Sequence, residues 1–219
     1  MIKSYDETVN VNATPTKSSR RGPSGGDMRA RVVDAAIDTL KRDGFAGTSI
    51  RAIARTGGFN SALISYYFGS LNGLLLAALD HSNEERLLRY RESMDAVTTP
   101  QEFAEIALRI YRRDIESGDI TVFSELVAAS LAHKELGPEL VARAQPWLDF
   151  IQGALERVLG DTPIAAALPP ADLSRALLAF YLGVNLLTHL DPDRSQTDAV
   201  FDMANRAAGL LGPLFRPPA

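Results

Sequence analysis

The stretch GFAGTSIRAIARTGGFNSALISYYFGSLNGLL, residues 44–75, decides the fold of this chain. It holds two short runs of apolar side chains at helical spacing, separated by the glycine pair Gly57-Gly58. Glycine accepts positive φ at little cost, so the pair permits the tight turn that two steeply crossed helices require. Small polar residues stand where each helix would begin and can cap it; they are Thr48 or Ser49 for the first helix, and Asn60 or Ser61 for the second. The stretch therefore predicts a helix-turn-helix unit.

A longer amphipathic helix precedes this unit. Its apolar side chains share one helical face; they are Val33, Ala36, Ile37 and Leu40. Asp27 is a candidate N-cap for this helix, and Gly44 is a candidate terminating residue. Three helices joined by glycine-bearing turns are therefore predicted over residues 27–75.

The rest of the chain repeats helical apolar spacing and shows no strand-like alternation. A fourth helix is predicted from about Leu71 to about Asp95. Five more helices follow, with apolar faces over residues 103–110, 120–127, 140–155, 173–187 and 200–211. Three prolines mark residues 160–170 as a loop. We predict an all-α protein of about nine helices, with a three-helix helix-turn-helix domain over residues 27–75 and a helical bundle over residues 76–219.

Charge is unevenly distributed along the chain. Residues 17–75 hold nine basic and four acidic side chains, whereas residues 76–219 hold thirteen basic and twenty-one acidic ones. Such asymmetry is typical of a nucleic-acid-binding segment attached to a different domain, although charge also fluctuates along any chain. Residues 1–26 are polar, lack a periodic apolar face and include Arg20-Arg21, which predicts a disordered basic arm. The arm would either reach DNA or be a plain unstructured tail.

In order and spacing, these pieces resemble the N-terminal domain of the tetracycline-repressor (TetR) family. The resemblance covers residues 29–80 and rests on a series of short matches: Ala35-Ala36, Leu40, Gly44-Phe45, Thr48-Ser49-Ile50, Ile53-Ala54, Gly58-Phe59-Asn60, Tyr66-Tyr67-Phe68, Gly69-Ser70 and Leu74-Leu75. It implies a DNA-binding transcription regulator, usually a repressor that a small molecule releases from DNA. It also implies a homodimer, because a two-fold dimer matches the two half-sites of a palindromic operator on double-stranded DNA.

The resemblance also assigns roles within the helix-turn-helix unit. Thr48 or Ser49 looks like the family's phosphate contact, where a hydroxyl and free backbone N–H groups meet an anion. The outward side chains of the third helix would face base edges, and its two tyrosines would contact phosphates. The predicted DNA-binding residues are Thr48, Ser49, Arg51, Asn60, Ser61, Ala62, Leu63, Ser65, Tyr66 and Tyr67.

Two residues depart from the family pattern. Leu71 stands where the family usually has a phosphate-binding lysine, and Tyr67 stands where it usually has a histidine. Loss of the lysine removes about one phosphate contact, so the slope of log affinity against log salt concentration falls by about one unit. The third helix also carries no charged side chain between Ser61 and Phe68, so base readout would rest on hydroxyls, methyl contacts and water. Basic residues that could replace the lost contact are Arg29, Arg31, Arg51, Arg55 and the pair Arg20-Arg21.

The eighth predicted helix repeats apolar residues in steps of four, three, four and three, which is a heptad seam. Small residues on the ninth helix permit close packing against it. Either both faces pack inside one subunit, or the two helices form a four-helix interface with a second copy, which the resemblance favours. The predicted dimer residues are Leu173, Leu177, Phe180, Val184, Val200, Ala204, Ala207 and Leu211.

Large side chains on helices four to eight either fill a plain core or line a cavity. The resemblance favours a mainly apolar pocket with a few polar groups, suited to a small hydrophobic or aromatic ligand. The candidate pocket residues are Tyr90, Phe103, Tyr111, Phe123, Trp147, Phe150, Phe180, Asn185 and His189.

Other functional classes find little support in the sequence. The chain has no cysteine, and its three histidines lie far apart without carboxylates at ligand spacing, so we predict no metal site and no cofactor. No nucleophile elbow, phosphate loop or dinucleotide fingerprint occurs, which argues against an enzyme. No apolar segment is typical of a signal peptide or a membrane span, so we expect a cytoplasmic protein without a membrane partner. The alternative hypothesis is a helical ligand-binding or interaction protein whose DNA binding is weakened or lost, because of Leu71 and the uncharged third helix.

Overall fold

A computed structural model of the chain describes residues 25–160, 162–190, 193 and 195–211. This described part contains ten α-helices and no strand, which confirms the all-α prediction. In chain order the helices are α1 (Gly25–Gly47), α2 (Ile50–Gly57), α3 (Ala62–Phe68), α4 (Leu71–Asp95), α5 (Pro100–Ser117), α6 (Asp119–Ser130), α7 (Leu136–Leu159), α8 (Pro163–Ala167), α9 (Pro170–Leu190) and α10 (Ser195–Leu211). The predicted basic arm lies outside the described residues, except that Gly25 and Gly26 form the first turn of α1.

Two predicted boundaries differ from the structure. The short helix α8 forms within residues 160–170, which were expected to be a loop, and it accounts for the tenth helix. Pro163 occupies its first turn, where the missing N–H of proline costs nothing and its fixed φ suits a helix. Gly44, with φ 67° and ψ 179°, bends α1 rather than ending it, and helical structure resumes as far as Gly47.

The helix-turn-helix unit begins and turns where the sequence predicts. The hydroxyl of Ser49 accepts a hydrogen bond from the backbone N–H of Ala52 (3.2 Å) and so caps α2. Gly58 ends α2 in the left-handed conformation, with φ 64° and ψ 39°. The side-chain oxygen of Asn60 accepts a hydrogen bond from the N–H of Ala62 (2.8 Å) at the start of α3.

The turn between α2 and α3 is also closely packed. A Cβ atom added at Gly57 would lie 2.1 Å from the ring of Phe59 and 2.9 Å from the side chain of Ala35. Gly57 is therefore required by the close approach of the turn to α1, whereas Gly58 is required by its backbone conformation.

One hydrophobic core joins the helix-turn-helix unit to the larger bundle. Its buried side chains come from α1, α2, α3, α4, α6 and α7 and include Leu40, Ile53, Ile64 and Leu126, none of which has exposed surface. Full burial of each such side chain stabilises the fold by about 2 kcal/mol. The predicted domain boundary between residues 75 and 76 falls inside the continuous helix α4, so both parts of the chain share this helix.

Two smaller clusters lie farther along the bundle. One is formed by buried side chains of α4, α5 and α7 together with Val97. The other joins Tyr111 of α5 to Val184 of α9 and Phe201 of α10. The second of these clusters packs α9 and α10 against α5.

Candidate DNA-binding surface and ligand cavity

The short helix α3 is anchored by one side and open to solvent on the other. Ile64 is fully buried in the core. Tyr66 is 79% exposed, and its ring meets that of Tyr67 edge to face, with centroids 4.9 Å apart. The other residues predicted to face base edges are exposed or half-buried; they are Ser61, Ala62, Leu63 and Ser65. An aromatic pair and small side chains therefore form the surface that the resemblance assigns to DNA.

The two candidate phosphate contacts at the start of α2 differ in exposure. Thr48 is buried, and its hydroxyl donates a hydrogen bond to the carbonyl of Gly44 (2.6 Å), so it braces the bend in α1. Ser49 is exposed while it caps α2. Because a hydroxyl that accepts a hydrogen bond keeps its own proton to donate, Ser49 can cap the helix and meet a phosphate at the same time.

Two arginines on α2 provide positive charge next to α3. Arg51 and Arg55 are exposed, and neither forms an ion pair with another residue in the part of the chain that the structure describes. Together with Asn60 and Ser61 they line a shallow depression between α2 and α3. Both guanidinium groups are therefore available to an external anion.

The other candidate cations are engaged or outside the described residues. The guanidinium of Arg29 lies 4.9 Å from the centroid of a phenylalanine ring, and Arg31 donates a hydrogen bond to a backbone carbonyl of α2 (3.2 Å). Leu71 packs against the main core, so this position contributes to stability where the family usually places a lysine. Arg20-Arg21 lies outside the described residues.

Polar contacts attach α1 to the start of α6. The ammonium of Lys41 and the guanidinium of Arg89 bind the two carboxylate oxygens of Asp119, at 2.7 Å and 2.9 Å. The backbone N–H of Phe45 donates a hydrogen bond to the carboxylate of Glu125 (2.6 Å). Burial alone would raise the pKa of Asp119, but hydrogen bonds from Lys41 and Arg89 outweigh it and lower this pKa to about 2. An ion pair and a hydrogen bond thus bind α6 to α1, the helix that precedes α2.

This attachment leads to a pH-dependent prediction. We expect Asp119→Asn to lower the free energy of unfolding by about 2 kcal/mol at neutral pH. The pKa of Asp119 is lower in the folded than in the unfolded chain, so its stabilisation is complete above the unfolded value of about 3.9 and is lost as the pH falls toward 2. Denaturant unfolding measures the difference in the free energy of unfolding between wild type and Asp119→Asn, and this difference should fall by about half between pH 7 and pH 3.

The matched control is Asp95→Asn, which removes an exposed ion pair with Arg157 (3.6 Å). We expect this substitution to change the free energy of unfolding by less than about 1 kcal/mol. A difference between wild type and Asp119→Asn that stays constant down to pH 3 would contradict the proposed role of the Asp119 carboxylate.

A cavity of about 410 Å³ lies between α4, α5, α6, α7, α9 and α10. This volume is in the range of sites for small molecules. Its walls are mainly aliphatic and aromatic, and they include five of the nine predicted pocket residues: Phe103, Phe123, Trp147, Phe150 and Phe180. The cavity is also lined by residues predicted for the dimer: Leu173, Leu177, Ala204 and Ala207.

The four remaining pocket candidates lie away from the cavity wall. Tyr90 belongs to the core cluster of α4, α5 and α7, and Tyr111 packs on α9 and α10. Asn185 is fully buried and donates a hydrogen bond to the carbonyl of Tyr181 (2.8 Å). His189 is exposed near the end of α9, where Nδ1 lies 2.9 Å from the carbonyl oxygen of Asn185.

A buried charged cluster borders the cavity. Arg86 is 3% exposed, and its guanidinium binds both carboxylate oxygens of Asp114, which has no exposed surface. The hydroxyls of Tyr90 (2.9 Å) and Tyr181 also donate hydrogen bonds to this carboxylate. Burial, together with the charge of Asp114, raises the pKa of Tyr90 to about 12 and that of Tyr181 well above its ordinary value. Both tyrosines therefore stay protonated as donors at neutral pH.

The sequence pattern did not identify Arg86, Asp114 or their neighbour Asn83 as site residues. A signal was present in α4, where the buried face continues from Leu79 through Asn83 and Arg86 at steps of three and four. A charged residue on an otherwise apolar helical face predicts a buried partner, because an unpaired charge in the core is costly. The sequence could not say that this partner lies on α5.

An exposed short helix next to a capped turn, joined through α4 to a bundle with an internal cavity, defines a helix-turn-helix protein with a second, helical domain. Residues 32–78 match the family described as bacterial regulatory proteins, tetR family. The transcriptional regulatory protein RaaS of Mycobacterium tuberculosis is 30% identical to this chain over 172 residues, which are 77% of this chain and 74% of RaaS. The chain therefore belongs to the TetR family, which confirms the resemblance seen in the sequence.

Two further comparisons concern smaller or more distant similarity. The transcriptional regulator BetI of Paraburkholderia xenovorans is 36% identical over 53 residues, so the match spans 24% of this chain and only 27% of BetI. The multidrug binding protein EbrR, in a crystal structure with proflavin, is 25% identical with a TM-score of 0.55, covering 81% of this chain and 98% of EbrR. The similarity to EbrR extends over the helical bundle as well as the helix-turn-helix unit.

Proposed function

We propose that the protein is a ligand-responsive transcriptional repressor that binds a palindromic operator as a homodimer. The observation that carries this proposal is the solvent-exposed side of α3 beside the unpaired arginines Arg51 and Arg55. In this arrangement α3 enters the major groove, while the arginines and Ser49 meet the flanking phosphates. The alternative, a related protein that has lost DNA binding, is less favoured because these arginines can replace the lysine that is absent at Leu71.

The DNA contacts are tested by replacing both free arginines with alanine. We expect Arg51→Ala combined with Arg55→Ala to weaken operator binding for all operator variants and to lower the salt dependence by about two units, because two phosphate contacts are lost. The operator is obtained by selecting bound fragments from a random DNA pool. Fluorescence anisotropy at several salt concentrations then measures the affinity.

Arg91→Ala combined with Arg109→Ala removes the same charge from exposed positions on α4 and α5 and should leave the salt dependence unchanged. Equal effects of the two double variants would show that net charge, rather than the surface of α2 and α3, decides DNA binding. Recovery of a sequence without two-fold symmetry would overturn the dimeric part of the proposal.

The second copy in the proposed dimer covers an apolar surface on α9 and α10. Its large side chains are among the most exposed hydrophobic residues described, between 58% and 81% exposed; they are Leu186, Leu187, Leu190, Met203 and Leu210. By length and composition alone α9 could also span a membrane, and only 22% of its apolar window is buried in the subunit. Two copies of this surface packed together explain the apolar character of α9 in a protein whose other features are those of a DNA-binding regulator.

The proposed interface uses a different seam of α9 from the one predicted. Val184 is buried against α5 and α10, and Leu173 and Leu177 line the cavity, so these positions face the inside of the subunit. The outward positions also follow heptad steps; they are Ala176, Ala179, Gly183, Leu186 and Leu190. Val200 and Ala204 are half-buried, Ala207 is exposed, and the side chain of Leu211 lies outside the described residues.

The proposed coupling between ligand and DNA runs through helices that touch both sites. A ligand in the cavity contacts Arg86 of α4 and Phe123 of α6. The helix-turn-helix core includes the start of α4, and α1 is bound to α6 through Asp119 and Glu125. Displacement of these helices would change the distance between the α3 helices of the two subunits, so that it no longer matches one turn of DNA. A ligand that binds the cavity but leaves operator affinity unchanged would contradict this coupling.

A further inference from the structure

The polar side chains of the cavity wall are few. Among the described residues that line it, those with side-chain hydrogen-bonding groups are Asn83, Arg86, Trp147 and Tyr181. No carboxylate is among these lining residues. The other lining side chains are aliphatic, aromatic or, at Met94, a thioether, so strong hydrogen bonds to a ligand must come from these four side chains.

Most of their hydrogen-bonding capacity is already used. The indole N–H of Trp147 donates to the side-chain oxygen of Asn83 (3.0 Å), and the amide nitrogen of Asn83 donates to the carbonyl of Arg143 (3.3 Å). Tyr181 donates to Asp114. The guanidinium of Arg86 uses Nε and Nη2 toward Asp114, whereas Nη1 donates no hydrogen bond to any residue in the described part of the chain.

Arg86 is held so that this free nitrogen cannot easily turn away. The carboxylate of Asp114 fixes one edge of the guanidinium. The central carbon of the guanidinium lies 4.5 Å from the ring centroid of Trp147. Arg86 lines the cavity and is 3% exposed, so a ligand in the cavity can approach the N–H groups of its planar guanidinium that Asp114 does not use. An acceptor oxygen from a ligand would satisfy donors that have no protein partner there.

The charge of the site disfavours an ionic ligand. The positive charge of Arg86 is neutralised by Asp114, so a carboxylate in the cavity would place a second anion beside the same guanidinium without a further cation. A cation would find no free carboxylate, because Asp114 already accepts hydrogen bonds from Arg86, Tyr90 and Tyr181. Both ions would lose their hydration against a hydrocarbon wall.

We propose that the cavity recognises neutral apolar molecules that carry a hydrogen-bond-accepting carbonyl oxygen, with Arg86 Nη1 as the donor. This inference rests on the proposed function, since it names the chemical class of the ligand to which the regulator responds. The proposed ligand class differs from that of a general apolar binding protein, which would bind hydrocarbons equally well. It also differs from that of a protein that binds lipophilic cations.

The test compares four compounds built on one rigid hydrocarbon cage: methyl adamantanecarboxylate, ethyladamantane, adamantanecarboxylate and adamantylmethylammonium. They do not absorb where tryptophan does, and Trp147 is the single tryptophan of the chain and lines the cavity, so its fluorescence reports binding at this site. We expect the ester to bind at least about tenfold more tightly than ethyladamantane, which corresponds to about 1.4 kcal/mol. The carboxylate should bind more weakly than the ester, and the ammonium ion should bind most weakly.

Arg86→Lys tests whether the guanidinium causes the preference for the ester over ethyladamantane. Lysine keeps a positive charge beside Asp114 but lacks the fork that lets one group bind the carboxylate and a ligand together. The variant should lose most of the preference for the ester over ethyladamantane, while ethyladamantane still binds. Arg89→Lys is the matched control on the same helix, outside the cavity lining, and should keep the wild-type preference.

The outcomes separate this inference from the proposed function. Equal affinity for ester and hydrocarbon, tightest binding of the ammonium ion, or no saturable change in fluorescence with any compound would each overturn the ligand class. A carboxylate that binds more tightly than the ester would overturn the neutral assignment. Operator binding is measured separately by anisotropy, and none of these ligand results would contradict it. A protein that binds no operator would overturn the proposed repressor but not the ligand class.

Discussion

Replacing Asp114 by alanine is expected to lower the free energy of unfolding by about 3–5 kcal/mol, the largest stability effect we predict for a single substitution. The substitution leaves Arg86 buried without a counter-charge and removes the acceptor for two tyrosine hydroxyls. Uncompensated charge in a low-dielectric interior accounts for most of the expected loss. Denaturant unfolding followed by circular dichroism measures it.

A double variant distinguishes the lost charge balance from simple loss of packing. Arg86→Met combined with Asp114→Asn removes both charges and keeps an amide oxygen as acceptor for the tyrosines, so it should be clearly more stable than Asp114→Ala alone. Asp172→Ala removes an exposed contact with Arg175 (3.5 Å) and should cost less than about 1 kcal/mol. A double variant that loses at least as much stability as Asp114→Ala would show that the ion pair is not what makes Asp114 important.

Replacing Leu186 by glutamate is expected to convert the protein to a monomer and to weaken operator binding by more than about 100-fold. Leu186 is 61% exposed on a single subunit and lies on the outward seam of α9 that we propose as the interface. A carboxylate there would be buried against a second apolar surface without a partner, and one subunit alone can hold only one half-site. Light scattering measures the oligomeric state, and anisotropy measures operator binding.

Leu131→Glu provides the matched control for this substitution. Leu131 is 84% exposed, follows the end of α6 and lies on neither α9 nor α10. The variant should therefore remain a dimer with wild-type operator affinity. A protein that is monomeric before any substitution, or a Leu186→Glu variant that stays dimeric, would require a different partner for the apolar face of α9.

Local sequence signals predicted the helix-turn-helix unit closely because the interactions that form it are themselves local. The cap at Ser49 joins residues three apart, and the turn depends on the backbone freedom of Gly58. The boundary predicted at Gly44 was wrong because a contact distant in sequence acts there. Gly44 has the positive φ of a helix end, yet the chain resumes helical structure because Phe45 is held against Glu125 of α6.

Site residues in the bundle were harder to predict because they depend on partners distant in sequence. Aromatic residues marked the cavity, since five of the nine candidates line it. Arg86 and Asp114 were missed because they stand 28 residues apart on different helices. The predicted seam on α9 was a true helical face, but periodicity alone did not show whether the face met a second copy or the subunit's own cavity.

Caps, glycines and helical periodicity were thus enough to determine the all-α class and the helix-turn-helix unit, and the resemblance of residues 29–80 indicated the family. The tertiary structure alone decided that Arg51 and Arg55 form no ion pair within the described part of the chain while Arg31 is engaged, that Leu186 rather than Val184 faces outward, and that the cavity wall carries a neutralised arginine. The physical reason is that a helical pattern determines which residues share a face, whereas burial, charge pairing and pKa depend on what that face meets after the helices pack.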